Sequence, residues 1–150
     1  MAGVESGYEG RMGYSYDGVD LRKHPEKYRV GRGEQGVFHA EPYKSELLPL
    51  WKFKDEEAAR ESSGAIYQKF CEYRAEDDFV GMDVARKYLQ MGWTRSLRYA
   101  KYKAGKKSQP LEEPDGTKLQ AASIFKDLYD RARTDEKYTQ LKEQHKRRNE

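Results

Sequence analysis

The sequence predicts a mainly α-helical domain with one small β-hairpin near its N-terminus, an α+β fold in which helices dominate. Apolar residues recur at three- and four-residue spacing in the stretches 59–73, 79–93 and 119–132, which is the pattern of amphipathic helices. A glycine-punctuated segment between two short apolar runs indicates the hairpin. Leu, Ile, Val and Phe supply only 23 of the 150 residues, but twelve Tyr and two Trp add apolar area. We therefore expect a small core rich in aromatic side chains.

The composition divides the chain into three parts. Residues 1–20 contain five Gly and three Tyr, and because Gly loses much entropy on ordering, we expect a flexible arm. Residues 21–133 are predicted to form a single, mostly helical domain, and residues 134–150 a charged C-terminal helix or tail. That last stretch has only Tyr138 and Leu141 on its apolar side. The tyrosines of the arm could dock on the domain itself or on a partner.

The predicted hairpin lies in the N-terminal third. Residues 28–30 and 37–40 have the composition of its two strands, and Pro42 ends the second. The glycines between them match the pattern G-x-G-x-x-G, but a dinucleotide-binding fold needs a helix directly after the glycines, where this chain has a strand-like run. We interpret the glycines as turn residues, with an anion-binding backbone loop as the weaker alternative. The residues of that loop are Gly31, Arg32, Gly33 and Gly36.

Two helices are predicted next. Ser45 can cap a short helix, which Pro49 breaks. Asp55 can cap a longer helix that runs to about Arg74, with acidic residues in the first turn where the helix dipole favours them. Gly64 lies inside this helix, where it costs about 1 kcal/mol relative to Ala. We expect a neighbouring helix to cross closely there.

The central stretch is predicted to form two further helices. Asp77 or Asp78 can cap the first, and Gly92 suits the left-handed residue that ends it. Thr94 can then cap the second, which Gly105 closes. Two helices joined by a short glycine-containing turn resemble a helix-turn-helix, but the spacing of small residues does not fit that motif, so sequence-specific reading of bases is not favoured. A Pro- and Gly-rich linker then leads to the last amphipathic stretch.

Charge is unevenly distributed along the chain. Residues 1–78 carry 12 basic and 16 acidic side chains, whereas residues 79–150 carry 17 and 10, so a front with net charge −4 precedes a rear with net charge +7. No acid lies between Asp83 and Glu112, and basic and aromatic residues alternate there. Such a segment predicts a surface for an anionic partner. The predicted nucleic-acid-binding residues are Arg86, Lys87, Arg95, Arg98, Tyr99, Lys101, Tyr102, Lys103, Lys106 and Lys107.

The leading hypothesis is a non-enzymatic binding module whose basic helical surface holds a phosphate-rich partner, most simply nucleic acid through its backbone. Lysine and arginine side chains would contact phosphates, so the affinity should fall steeply with salt. Tyr99 and Tyr102 could stack on unpaired bases. A solvated helix face whose tyrosines pack inward explains the same residues without any ligand.

Two other classes of function stay open. The first is a protein–protein interaction module or structural subunit of an assembly, which would contact a protein partner through residues 1–20 and 134–150. The second is an enzyme that uses the glycine loop at 31–36 together with acids of the central stretch. Those acids are Asp77, Asp78 and Asp83.

Catalysis has little support in the sequence. The histidines lie far apart, without a Cys or an acid at metal-ligand spacing, and no Ser has the context of a nucleophile elbow. We predict no catalytic residue, no cofactor and no metal. The single cysteine, Cys71, excludes an internal disulfide, and no apolar run reaches the roughly 18 residues of a membrane span. We therefore expect a cytoplasmic protein with no membrane contact.

Several segments carry a resemblance to a known family. They are the run Asp-Asp-Phe-Val-Gly-Met-Asp at 77–83, Ala-Arg-Lys-Tyr-Leu-Gln-Met-Gly at 85–92, Gly-Arg-Gly-Glu-Gln-Gly-Val at 31–37, His24-Pro25 and Glu41-Pro42-Tyr43-Lys44. Over about residues 20–107 the chain resembles a domain-of-unknown-function family of small cytoplasmic proteins from bacteria, fungi and phages. The resemblance implies that these residues form the domain proper, with flanks that vary. It implies no activity and no catalytic residue.

Overall fold

The fold is given by a computed structural model, which describes residues 16–30 and 35–148. Within those residues the chain forms five α-helices, and the longest connection between them is residues 102–115. In chain order they are α1 (Tyr43–Leu47), α2 (Glu56–Ala75), α3 (Phe79–Lys101), α4 (Gly116–Arg133) and α5 (Glu136–Arg148). The prediction of a mainly helical fold is confirmed.

Helix α3 is the centre of the fold. It packs against both α2 and α4, which also contact each other, and α1 and α5 reach it as well. Fourteen of its 23 residues are buried, more than the single apolar stripe of a surface helix provides, because neighbours enclose it on several sides. The core is rich in aromatic residues, as predicted. Four tyrosines are among its largest fully buried side chains: Tyr28, Tyr43, Tyr88 and Tyr138.

Aspartates begin the three long helices. The side chain of Asp55 accepts a hydrogen bond from the Ala58 amide at 2.8 Å, and that of Asp78 accepts one from the Gly81 amide at 3.1 Å. Asp115 caps α4 in the same way, through two amides of its first turn. Each carboxylate therefore satisfies amides that have no partner inside the helix. The caps predicted for α2 and α3 are confirmed.

Two glycines of α3 allow neighbouring helices to approach closely. A Cβ on Gly81 would lie 2.5 Å from Cγ of Tyr73 on α2, and a Cβ on Gly92 would overlap the ring of Phe125 on α4. Gly64 on α2 has no neighbouring atom within 4 Å of the same position. The close crossing predicted at Gly64 is therefore wrong, and the helices cross at the glycines of α3 instead.

Helix α3 continues through the position of the predicted turn. The prediction that Gly92 ends one helix and Thr94 caps the next is wrong, because both residues lie inside α3. Gly92 serves the contact with Phe125, a residue distant in the sequence, and needs no left-handed conformation there. The hydroxyl of Thr94 bonds back to the carbonyl of Met91 at 3.5 Å within the same helix. The resemblance to a helix-turn-helix is lost with the turn.

Helix α1 begins earlier than predicted. It runs over Tyr43–Leu47, and its N-cap residue, Pro42, offers no side-chain hydrogen bond. Ser45 lies inside the helix, where its backbone amide and its hydroxyl both bond the carboxylate of Glu41, at 2.9 and 3.0 Å. The cap predicted at Ser45 is therefore wrong, because an acid four residues upstream supplies the acceptor.

The predicted β-hairpin is absent from the residues that the structure describes. Gln35–Phe38 forms a 3₁₀ turn where the second strand is predicted, and no strand occurs in any described residue; residues 31–34, at the predicted turn, lie outside them. Val37 and Ala40 are fully buried, and the hydroxyl of Tyr88 on α3 donates to the Val37 carbonyl at 3.5 Å. An isolated two-stranded hairpin is marginally stable, so this segment gains more by burying its apolar side chains on the helical core.

A buried carboxylate connects both ends of the described chain to α3. Asp83 is fully buried and accepts hydrogen bonds from the hydroxyls of Tyr28 and Tyr138, each at 2.5 Å. Tyr28 precedes α1, whereas Tyr138 lies on α5. His145 of α5 adds a second link, because its Nε2 lies 2.7 Å from the Tyr28 carbonyl oxygen. The N-terminal segment and α5 are thus held on the domain by buried polar side chains.

Candidate nucleic-acid interface

The chain after α3 folds back on the end of that helix as a small lobe, residues 102–111. Tyr102 and Pro110 form an isolated antiparallel bridge, and the Lys103 amide donates to the Gln109 carbonyl at 2.8 Å. Further backbone hydrogen bonds return residues 111 and 115 to carbonyls in the last turn of α3. Several backbone hydrogen bonds therefore attach the lobe to the end of α3.

A left-handed turn and an arginine set the shape of the lobe. Ala104 has φ of 50° and Gly105 has φ of 72°, both in the left-handed region that favours glycine. Arg98 Nε donates a hydrogen bond to the carbonyl of Gly105. A Cβ on Gly105 would lie 3.1 Å from Cε1 of Tyr99, so the backbone of the turn packs directly against that ring.

An open cleft of about 630 Å³, which we call the basic cleft, lies between the last turns of α3 and the lobe. Four exposed cations line it: Arg98, Lys101, Lys106 and Lys107. Lys103 is exposed on the adjoining turn. Across the described part of the chain, none of these five cations lies within ion-pair distance of an acid. Their charges are therefore available to a partner.

The backbone amides of the lobe are largely engaged within it. Those of Gly105, Lys106 and Gln109 donate to lobe carbonyls at 3.0, 2.9 and 2.8 Å. An anion in the basic cleft would therefore be held by side-chain charges and not by a nest of free amides. Lysine ammonium groups act as point charges, without the fork that recognises a particular base edge.

Two of the predicted binding residues lie in the core instead. Arg86 Nε donates to Asp83 at 2.9 Å with its side chain only 12% exposed, and Lys87 is 7% exposed. Although burial acts to raise it, the pKa of Asp83 is held below its ordinary value by the charges of Arg86 and Lys87 and by the two tyrosine hydrogen bonds. Burial lowers the pKa of Lys87. We call Asp83, these two cations and the tyrosines Tyr28 and Tyr138 the Asp83 cluster; its cations offset a buried charge.

Arg95 lies where the core meets the cleft. Its guanidinium carbon is 5.2 Å from the centre of the Trp51 ring and 5.5 Å from that of Phe38, within cation–π range. The same side chain lines the basic cleft. Arg95 therefore helps to pack the segment before α2 and also borders the predicted surface.

The two tyrosines of the prediction both line the basic cleft. Tyr99 is 41% exposed, and Tyr102 is half-buried. The Tyr99 ring packs against Phe53 with 6.1 Å between ring centres, and Lys118 Nζ lies 6.0 Å from its centre. Neither tyrosine is buried in the way that the core tyrosines are.

The fold also returns acids to this end of the molecule, although the charge pattern alone does not place them there. The Asp115 amide donates to the Ala100 carbonyl at 2.8 Å, so residues 112–115 run beside the last turn of α3. Asp115 is engaged in capping α4, whereas Glu112 and Glu113 are exposed. The signal in the sequence is the cluster of Pro and Gly after α3, which is typical of a chain reversal. These acids reduce the net charge around the cleft without pairing with its lysines.

The glycine loop lies only partly within the described residues. Gly31, Arg32 and Gly33 fall outside them, and Gly36 is buried in the 3₁₀ turn. The Gly36 carbonyl accepts a hydrogen bond from the His39 amide at 3.2 Å.

The three acids named with that loop have separate partners. Asp77 is largely exposed and pairs with Lys137, while Asp78 caps α3 and accepts from the hydroxyl of Tyr43 at 2.7 Å. Asp83 is enclosed in the core. In the described ranges, no group of three or more His, Cys, Asp or Glu residues could hold a metal ion. The acids therefore do not converge on one site.

Comparison with known protein families identifies the family of this chain. A model of a domain of unknown function, DUF4385, matches residues 12–148. The chain belongs to this family. The DUF4385 match corrects the extent of about 20–107 that the resemblance suggests, because it also includes the lobe, α4 and α5. Searches of curated proteins and of solved structures give no match.

The DUF4385 chain contains no helix, in its described part, with the length and apolarity needed to cross a lipid bilayer. The family description names no activity, so a function has to be inferred from the chemistry of the basic cleft.

Proposed function

We propose that the protein is a non-enzymatic binding module that holds a phosphate-rich partner, most simply nucleic acid through its backbone, in the basic cleft. The observation that supports this most is a group of five exposed cations without an acid partner among the described residues, four of which line the basic cleft and one of which lies on the adjoining turn. They are Arg98, Lys101, Lys103, Lys106 and Lys107. A partner supplying phosphates would meet charges that the fold has not already neutralised.

The arrangement favours contact with the backbone over reading of the sequence. Four of the five cations are lysines, and the Nε of Arg98 already bonds the Gly105 carbonyl. If all five contact phosphates, the affinity should fall roughly 100- to 500-fold between 50 and 200 mM salt, depending on whether the partner is single- or double-stranded. Binding should depend weakly on base sequence.

Charge reversal in the lobe tests the proposal. The triple variant Lys103→Glu, Lys106→Glu, Lys107→Glu changes exposed side chains that make no side-chain hydrogen bond, ion pair or ring contact with any described residue, so folding should be preserved. Binding of labelled oligonucleotides, measured by fluorescence anisotropy at 50 mM salt, should weaken at least 100-fold. Circular dichroism and thermal unfolding verify that the variant is folded.

A matched control separates the cleft from net charge. Lys23, Lys27 and Lys146 are exposed and lie near the opposite end of α3, where His145 contacts Tyr28. Changing these three to Glu alters the net charge by the same amount and should weaken binding less than threefold. Equal losses in the two triple variants, or undiminished binding by the lobe variant, would show that the basic cleft is not the binding surface.

A further inference from the structure

We propose that the basic cleft selects unpaired nucleic acid, with Tyr99 as the platform on which a base stacks; this inference rests on the proposed function. Tyr99 is the most exposed large apolar side chain of the described residues, at 41%, compared with 36–38% for the exposed leucines. It lines the cleft in which the unpaired cations lie. A base has an apolar face and a phosphate nearby, and this surface offers an aromatic ring beside positive charges.

The ring of Tyr99 is held in place before any ligand binds. Gly105 packs on the face of the ring at Cε1, since a Cβ there would be 3.1 Å from Cε1 and 3.4 Å from both Cδ1 and Cζ, and Arg98 fixes the Gly105 carbonyl. Phe53 contacts the ring from the segment before α2, at 6.1 Å between ring centres. Lys118 lies 6.0 Å from the ring centre, and its Nζ donates to the Lys54 carbonyl. A ring fixed by these neighbours loses little conformational entropy when a base stacks on it, so little of the stacking free energy is lost to ordering the side chain.

Stacking decides between paired and unpaired partners. In a duplex the faces of the bases are covered by their neighbours, so an aromatic platform finds no partner unless bases are exposed. Cations alone predict the opposite preference, because a duplex has the higher charge density and releases more counterions per contact. Tighter binding of a single strand than of the same sequence as a duplex is therefore a signature of Tyr99 and not of the lysines.

Fluorescence anisotropy compares three ligands. Two are labelled: a mixed-sequence 12-nucleotide single strand and the same strand annealed to its complement. The third is inorganic polyphosphate, which has no bases and is added as a competitor. Wild type should bind the single strand more tightly than the duplex. Tyr99→Leu keeps an apolar side chain against Gly105 and Phe53 but removes the ring. It should weaken single-strand binding by roughly 5- to 150-fold and leave competition by polyphosphate unchanged. Tyr99→Phe retains the ring and should bind within twofold of wild type.

The outcomes separate this inference from the proposed function. If Tyr99→Leu binds the single strand as tightly as wild type does, or if wild type prefers the duplex, the assignment of Tyr99 as a stacking platform is wrong. The proposal of a phosphate-binding cleft is unaffected by either result. If polyphosphate binds and neither oligonucleotide does, both the stacking and the nucleic-acid partner are wrong. If none of the three ligands binds, the proposed function itself fails. A loss with Tyr99→Phe equal to that with Tyr99→Leu would assign the effect to the hydroxyl and overturn stacking.

Discussion

Replacing Asp83 by Asn tests whether the Asp83 cluster stabilises the fold as a charged unit. The substitution keeps the size of the side chain but removes the charge that faces Arg86 and Lys87. It also leaves a single acceptor oxygen where the carboxylate has two, with Tyr28 on one oxygen and Tyr138 on the other. Buried donors and cations would then remain without their partner.

The expected loss is large relative to the stability of a domain this size. Removing one partner of a buried ion pair costs about 3–5 kcal/mol, against a total free energy of unfolding of about 5–15 kcal/mol. For a chain of about 150 residues, each kcal/mol corresponds to roughly 2–4 °C in Tm. Asp83→Asn should therefore lower Tm by roughly 6–20 °C at neutral pH.

The effect should also depend on pH with a definite sign. Because the folded-state pKa of Asp83 lies below its unfolded value, its stabilising contribution is present above about pH 4 and is lost as the pH falls through the folded pKa. The difference in Tm between wild type and Asp83→Asn should thus shrink in acid. Thermal unfolding followed by circular dichroism from pH 7 to pH 2 measures it.

The control is Asp127→Asn, the same chemical change at an exposed position of α4 where the side chain makes no hydrogen bond or ion pair with any described residue. Its unfolding free energy should stay within about 0.5 kcal/mol of wild type at every pH. The charged-unit role of Asp83 is refuted if Asp83→Asn unfolds within 2 °C of wild type (about 1 kcal/mol or less), or if its deficit persists undiminished in acid.

Two further predictions concern packing and alkaline pH. Gly92→Ala should lower the free energy of unfolding by about 1–3 kcal/mol, because the new methyl group overlaps the Phe125 ring. Gly64→Ala places its methyl group in open space and should raise the free energy of unfolding by up to about 1 kcal/mol. Urea midpoints that shift in the same direction for both variants would contradict these packing roles. Burial raises the pKa of several tyrosines, so the stability linked to their neutral form is present below about pH 10 and is lost as the pH rises further. Absorbance at 295 nm should show these phenols ionising only as the helical signal disappears, and complete titration near pH 10 with the fold intact would argue against burial as the cause. The tyrosines concerned are Tyr28, Tyr43, Tyr73, Tyr88 and Tyr138.

The sequence predicts the features that depend on neighbours along the chain. The caps at Asp55 and Asp78 and the helical stripes are local, and they are present as predicted. The role predicted for Gly92 is wrong because its partner, Phe125, comes from another helix, and the predicted hairpin is wrong because Val37 is buried by contacts with α3. Local signals cannot distinguish a glycine that ends a helix from one that admits a neighbouring ring.

The same limit applies to the candidate site. No acid interrupts the run of cations from Arg86 to Lys107 in the sequence, but burial divides it. Arg86 faces a buried acid, whereas Lys101 and Lys106 border open water. The spacing from Asp83 to Arg86 permits that pair, yet an ion pair on a solvated helix face has the same spacing. The lobe that shapes the cleft depends on backbone hydrogen bonds that no spacing rule predicts.

The carboxylate of Asp83 has a consequence for how the chain holds together. Its two tyrosine donors lie 55 positions before it and 55 positions after it. If either the N-terminal segment or α5 detaches, the Asp83 carboxylate loses one of its two tyrosine donors. The buried charge is then less well stabilised, which weakens the attachment of the other segment. The N-terminal segment and α5 are therefore thermodynamically coupled through one shared acceptor, so local unfolding of one should destabilise the other.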